Sequence, residues 1–237
     1  MALSESGGTI RRRTANLQNL RGYECNNQTS QIHRTFYDIS CERRAILGAD
    51  EKNLKDVYGG VKVEIRRATL DDVKDISRIY ALSWKSAYKG IIPQAYLDEL
   101  KDFWVSKFVE WINDRVLTAQ LISDNGSLVG CVAYGKSRDI SLPDWGEIVS
   151  IYLLPEYFGK GYGNKLLESA LIDLKQLGYQ NIYIWVLKEN QRARHFYERK
   201  KLQCNNDEYI FEIMGEQLID VRYTYHFITL PNEKNMC

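Results

Sequence analysis

The chain reads as a mixed α/β domain. Two observations carry that reading. Segments that alternate with period two are interleaved with segments patterned at about 3.6 residues. Among them, Glu147–Leu154 (EIVSIYLL) is a nearly continuous apolar run, as expected of a buried strand. From Val61 onward the order is βααα-ββ-β-α-β-α-ββ, which is neither a repeat nor a helical bundle.

Each element has a local reason. Val61-Lys62-Val63-Glu64-Ile65-Arg66 alternates and reads as the first strand. Thr69 is an N-cap, with Asp71 and Asp72 in the first turn of a helix through Val73, Ile76, Ile79, Tyr80 and Ser83. Pro93 starts a second helix containing Tyr96, Leu97 and Leu100, and a third spans Phe103 to Ile112. Leu117–Ile122 and Leu128–Tyr134 flank Asp124-Asn125-Gly126-Ser127, a hairpin signal. After the apolar strand, Gly163–Leu177 carries Leu166, Leu167, Ala170, Leu171 and Leu174 on one helical face, and Gly178 stops it. Ile182–Leu187 is a strand. Asn190 caps a helix through Ala193, Phe196 and Tyr197. Two final strands, about Tyr209–Met214 and Gln217–Phe227, join at Gly215.

Composition narrows the function. The 237 residues include 32 basic and 31 acidic side chains, a net charge of +1. That balance gives no global field for nucleic acid or an anionic membrane. No apolar run approaches the roughly 20 residues of a bilayer span. The first residues lack a secretory signal pattern. The five cysteines are scattered, with no CxxC pair and no histidine nearby in sequence, so neither a disulfide framework nor a metal site is expected. These features describe a reduced, cytoplasmic protein.

Organisation is unequal. Residues 1–60 are polar, hold none of the five tryptophans and read as a weakly structured extension, with a modest helix over Arg43–Val57. The Arg11–Arg13 run reads either as a nucleic-acid contact or, better, as a solvated tail. A third reading is that the Gly59-Gly60 codons can encode a ribosome-binding sequence, with Val63 as a GTG start and the upstream residues as a mis-called extension. Residues 61–230 form the domain, and 231–237 are a polar tail.

The most informative segment is Leu154-Pro155-Glu156-Tyr157-Phe158-Gly159-Lys160-Gly161-Tyr162-Gly163-Asn164, between a buried strand and a helix. Alternating glycines permit a tight turn whose backbone N–H groups point outward at a helix N-terminus, a setting suited to pyrophosphate. Alone, it reads equally well as a plain strand-to-helix turn. It has neither P-loop nor dinucleotide-fold spacing. The second segment is Lys188-Glu189-Asn190-Gln191-Arg192-Ala193-Arg194-His195-Phe196-Tyr197-Glu198.

Together these two segments resemble the GNAT superfamily of N-acetyltransferases. That family's cofactor motif is Gln/Arg-x-x-Gly-x-Gly/Ala after its fourth strand, here Phe158-Gly159-Lys160-Gly161-Tyr162-Gly163. Its next motif is matched by Glu189-Asn190, Ala193, Phe196-Tyr197 and Glu198. Ser83-Trp84 through Tyr88 to Pro93 and Leu97 resembles the first-helix region of many members. The resemblance runs from about Val63 to Phe227. Phe158 stands where the family has Gln or Arg, and Lys201-Leu202 where it usually has Gly-Phe.

The resemblance implies a mostly antiparallel sheet flanked by helices and splayed between its fourth and fifth strands. It implies acetyl-CoA as acyl donor, with Ile151, Tyr152 and Leu153 along the pantetheine arm. Phe158, Gly159, Lys160, Gly161, Tyr162, Gly163 and Asn164 would hold the pyrophosphate, and Asn190 and Ala193 would line the other side. Tyr197 matches the acid that protonates the leaving thiolate. Glu147 matches a general-base position, with Tyr152 and Glu189 as lesser alternatives. Trp84 and Tyr88 are expected to shape the acceptor pocket. The expected reaction is direct attack by a primary amine, on a small molecule or a peptide, with no metal. A non-catalytic acyl-CoA-binding domain of the same fold is the alternative. A homodimer through the last strands is the family-level expectation for assembly.

Overall fold

The computed structural model describes residues 10–12, 62–100, 104–114 and 116–227. Its strands are β1 (Ile10–Arg12), β2 (Val63–Arg67), β3 (Leu117–Asp124), β4 (Ser127–Lys136), β5 (Gly146–Leu153), β6 (Asn181–Leu187), β7 (Gln203–Ile213) and β8 (Glu216–His226). Its helices are α1 (Val73–Ala87), α2 (Gln94–Glu99), α3 (Val105–Asn113), α4 (Tyr162–Gln176) and α5 (Gln191–Arg199). The sheet order is β1-β7-β8-β6-β5-β4-β3-β2. From β2 to β8 every neighbouring pair is antiparallel except β5 and β6.

Strand alternation divides the core. Cys131 and Ala133 of β4 pack toward Ile76, Ile79, Leu97 and Phe108 of α1, α2 and α3. Val132 and Tyr134, one residue out of step, pack toward Leu166, Leu167, Ala170 and Leu174 of α4. Each helix therefore spends its apolar stripe on one face of the same sheet. The Cys131 thiol is 1% exposed and burial pushes its pKa up, so it behaves as a small apolar group.

Element ends follow their signals. Asn125 and Gly126 both have positive φ (49° and 83°), as the tight β3–β4 hairpin requires. The Asp72 carboxylate accepts the Thr69 N–H at 2.8 Å and two Arg66 N–H groups at 2.7 Å. Those donors pull its pKa down to about 2. The first turn there is a 3-10 turn, Leu70–Asp72, so α1 proper starts at Val73 rather than just after Thr69.

Three findings differ from the sequence expectations. β7 begins at Gln203 rather than near Tyr209. Its first half is polar and carries an irregularity between Cys204 and Glu208, with Asn206 at φ 61°, so the alternation is broken there. Lys201 takes the left-handed conformation (φ 65°) where the family has glycine, while Leu202 is 2% exposed in the core. The turn is kept, and the strand after it forms. Finally, Ile10–Arg12, expected in the weakly structured extension, pairs in parallel with Glu208–Ile210 at the sheet edge. The Arg43–Val57 helix and the 231–237 tail lie outside the described residues. Among the described residues no helix is long and apolar enough to cross a membrane.

Candidate functional site

The site begins with a failure of pairing. β5 and β6 run parallel, yet their register holds only at Gly146↔Ile182 and Glu147↔Tyr183. Beyond Glu147 the two strands diverge. An extra residue, Val149, enters β5 between the pairs Tyr134↔Ile148 and Ala133↔Ser150, and such a bulge bends its strand. The β5 edge past the bulge therefore has no strand partner on the β6 side. Unpaired backbone groups on such an edge suit an extended, amide-bearing ligand, which pairs with them as an added strand would.

The divergence opens a cavity of about 570 Å³. Of the residues singled out from sequence, Tyr88, Ile151, Tyr152, Leu153, Phe158, Gly159, Gly161, Gly163, Asn164, Asn190, Ala193 and Tyr197 line it. At its rim, Gly159 (φ 77°) and Gly161 (φ 84°) are left-handed, with open space where a Cβ would stand. Conformation, not crowding, is what calls for glycine there. Gly161 is the N-cap of α4, so the first N–H groups of that 15-residue helix face the cavity rim without helical acceptors. These features fit the pyrophosphate of an acyl-CoA.

Phe158 has a structural use. The Arg192 guanidinium stacks over its ring at 3.7 Å, which fixes a cation beside the turn. Two expected cofactor residues point elsewhere. Tyr162 is 6% exposed and donates its hydroxyl to Asp124 Oδ2 at 2.9 Å. The Lys160 ammonium lies over the Tyr157 ring at 4.4 Å.

Opposite the turn, Asn190 Oδ1 accepts the Ala193 N–H at 3.1 Å and starts α5. That start places Tyr197 in the wall, 5% exposed, with its ring against Phe196 (5.0 Å) and Tyr223 (6.1 Å). Burial pushes the Tyr197 pKa well up, so the phenol is neutral across physiological pH. Tyr88 reaches in from the end of α1, its hydroxyl 3.3 Å from that of Tyr152 and beside the Asn190 side chain. Burial raises its pKa to about 12. Trp84 is not a lining residue; it packs edge-on beneath Tyr88 at 4.9 Å.

Glu147 differs from the expectation. It is 3% exposed and does not line the cavity. Its carboxylate accepts the Arg138 backbone N–H at 3.1 Å and the Arg138 guanidinium at 2.9 and 2.6 Å. A carboxylate clamped this way has its lone pairs engaged, a poor arrangement for a proton acceptor. His195 is exposed, away from the wall.

Sequence reasoning missed several contributors. Ser83 donates its hydroxyl to the Leu153 carbonyl at 2.6 Å and ties α1 to β5. Ser150 hydrogen-bonds Tyr80 beneath the bulge. Arg192 and Trp185 line the cavity. Ser83 and Arg192 fall inside segments the sequence singled out, but nothing in their type or spacing marked these roles, and Ser150 and Trp185 carry no such signal at all.

Comparisons with known proteins agree with this geometry. The family model described as "Acetyltransferase (GNAT) family" matches residues 76–201. The Bacillus subtilis protein named uncharacterized N-acetyltransferase YuaI is 32% identical over 164 residues, spanning 67% of this chain and 90% of that one. The spermidine N(1)-acetyltransferase of Thermoplasma acidophilum is 24% identical over 160 residues, 62% of this chain and 92% of that one. Among solved structures, the PaiA N-acetyltransferase of Thermoplasma acidophilum in complex with coenzyme A superposes with a TM-score of 0.56 at 18% identity, covering 70% of this chain and 99% of that one. The Salmonella typhimurium yncA structure with acetyl-CoA gives 0.56 at 16% identity, covering 73% and 99%. At those identities the structures speak to the fold.

Proposed function

The chain belongs to the GNAT family of acetyltransferases, and on that premise we propose that it moves an acetyl group from acetyl-CoA to a primary amine by direct attack. The observation that carries the reading is the cavity in the β5/β6 splay. It joins an unpaired strand edge, the glycine turn at the start of α4, and a buried neutral phenol. When bound, acetyl-CoA supplies an activated acetyl thioester. The residues Ile151–Leu153 would pair with its pantetheine arm, and the N–H groups of Gly161–Asn164 would hold its pyrophosphate, with Arg192 nearby.

Tyr197 gives the departing sulfur its proton. A phenol that burial keeps neutral is a competent donor to a thiolate. Tyr88 and Asn190 align the far wall, where the acceptor enters from the α1 side. Glu147 is not assigned the base; with Arg138 it holds β5 to the β4–β5 connection. The Thermoplasma relative named for spermidine, and coenzyme A or acetyl-CoA in the two solved neighbours, support an amine acceptor and this donor.

Thermal melts with added acetyl-CoA, and with ATP and NAD as controls, test donor binding. Ligand at about 100 times its Kd should add roughly 2.7 kcal/mol to stability. Thiol release on adding amines tests transfer. A selective shift with amine-dependent release supports the reading; a cooperative melt unmoved by acetyl-CoA contradicts it.

A further inference from the structure

On the acetyl-transfer reading, the acceptor attacks through a nitrogen lone pair, and an ammonium ion has none to offer. Either a group in the cavity takes the proton or the amine enters without it. The charged side chains that line the cavity bear on this choice. They are Arg192, Arg199 and Lys200, all cations, on α5 and its C-terminal cap. Arg192 stacks on Phe158 beside the glycine turn, and Lys200 pairs with Glu168 of α4 at 3.2 Å. These cations stand on the side where the donor's phosphates would bind. Among the described residues, no Asp, Glu or His lines the cavity.

The wall made by α1 and β5 is uncharged. Tyr88 and Tyr152 both line it, with their hydroxyl oxygens 3.3 Å apart. Burial pushes the Tyr88 pKa up to about 12 and that of Tyr152 well up, so both are neutral phenols near pH 7. Behind them, the Tyr80 hydroxyl is bonded to Ser150, and burial keeps the Cys131 thiol neutral. Glu147 is held by Arg138. Asp220, half-buried on β8, acts on Tyr88 through space, and exposed Glu189 acts on Asp220, but neither carboxylate lines the cavity. An ammonium ion at this wall would exchange its water for neutral phenols, a burial that disfavours an unpaired charge. A neutral amine fits. One phenol donates to the other, the free oxygen lone pairs accept the amine N–H groups, and the nitrogen lone pair stays available.

We propose that the acceptor is a weakly basic amine, an α-amino group beside an amide carbonyl, that enters already neutral and is seated by the Tyr88 and Tyr152 hydroxyls. This rests on the acetyl-transfer reading and names its substrate class. The step balances without a separate base. Outside the cavity, the ammonium gives its proton to water. Inside it, the nitrogen forms the C–N bond as the C–S bond breaks, and sulfur leaves with the electron pair. Tyr197 protonates the sulfur and regains a proton from the nitrogen. Basicity then selects the acceptor. An α-amino group, with a pKa of about 7.8, is roughly one-tenth neutral at pH 7. An alkyl ammonium like that of lysine, at about 10.4, is neutral in only about one molecule in 2,500.

The test follows thiol release from acetyl-CoA against pH, with alaninamide, tetra-alanine amide and n-butylamine as acceptors. In wild type, kcat/KM should bend at each acceptor's own pKa: near about 8 for the two α-amines, with no bend below about pH 9 for butylamine. At pH 7 alaninamide should lead butylamine by about 30-fold or more, the roughly 300-fold gap in neutral fraction being partly offset by butylamine's stronger nucleophilicity. Either α-amine as the better of the two supports the proposal, and their ratio tells a small acceptor from a peptide N-terminus. Asp220→Asn should keep the acceptor-dependent bends. Tyr88→Phe and Tyr152→Phe should each raise the amine KM about tenfold with kcat nearly kept. Their acetyl-CoA thermal shifts should match wild type, which also shows that they fold. One bend near pH 7 shared by all acceptors, or butylamine as the preferred acceptor at that pH, would overturn the proposal alone. An amine KM unmoved in both phenylalanine variants would overturn the hydroxyl seat. Acetyl-CoA binding with no turnover of any amine by wild type would overturn the transfer reading as well.

Discussion

A phenol that is to give up a proton must hold it until the sulfur departs, and burial enforces this at Tyr197. Tyr197→Phe should therefore lower kcat by about 100-fold or more while leaving acetyl-CoA affinity within a few-fold, as kinetics and calorimetry would show. Asp220 makes stability depend on pH. Its pKa is raised on folding, so the native state binds that proton more tightly than the unfolded chain. Its contribution to stability is full below about pH 4 and is lost as pH climbs through about 7. Asp220→Asn should thus melt several degrees higher than wild type near pH 8, with the gap closing toward pH 4. Glu147→Gln should do the reverse. It weakens the pair with Arg138 and costs about 1–2 kcal/mol in denaturant melts, the half-exposed arginine limiting the loss, and it leaves the shape of the pH–rate profile unchanged. Tyr197 and Asn190 were legible in sequence because they sit at fixed offsets in a motif. Asp220 was not. It alternates with Ile219 and Val221 in a strand whose other face is apolar, so it reads as an ordinary solvent-facing charge.

At the scale of elements, local signals decided what sequence could reveal. The Asn125-Gly126 hairpin, the Asn190 cap and the Gly178 stop each work through a few neighbouring atoms, and each lies where the chain predicts. The start of β7 depends instead on cross-strand pairing through an irregular polar stretch, which no periodicity in its own sequence reports. The turn before it shows what a departure from the family pattern costs. Lys201 occupies a left-handed conformation that glycine adopts freely. Lys201→Gly should raise stability by about 1 kcal/mol without moving Leu202 from the core, measurable as a shift of the urea midpoint at constant slope. A loss of stability would mean that contacts of the lysine side chain hold this turn.

The whole molecule makes its site by leaving a sheet incomplete. One half, β2 to β5, is braced by α1, α2 and α3 on one face and α4 on the other, while β6 to β8 form a second antiparallel unit. The halves touch through two register pairs, and the cavity lies where pairing stops. The sequence announced a strand and a glycine turn at that place. How far two distant strands diverge is a global property, fixed by the Val149 bulge and by what packs on both faces, and here only the family resemblance anticipated it. The most direct measurement is thiol release from acetyl-CoA as primary amines are added to the purified chain, run in parallel on wild type and Tyr197→Phe. Amine-dependent release by wild type, reduced at least about 100-fold in the variant with acetyl-CoA binding intact, is the predicted result. Equal release by the two proteins would contradict Tyr197 as the acid, and no release with any amine would contradict acetyl transfer at this site.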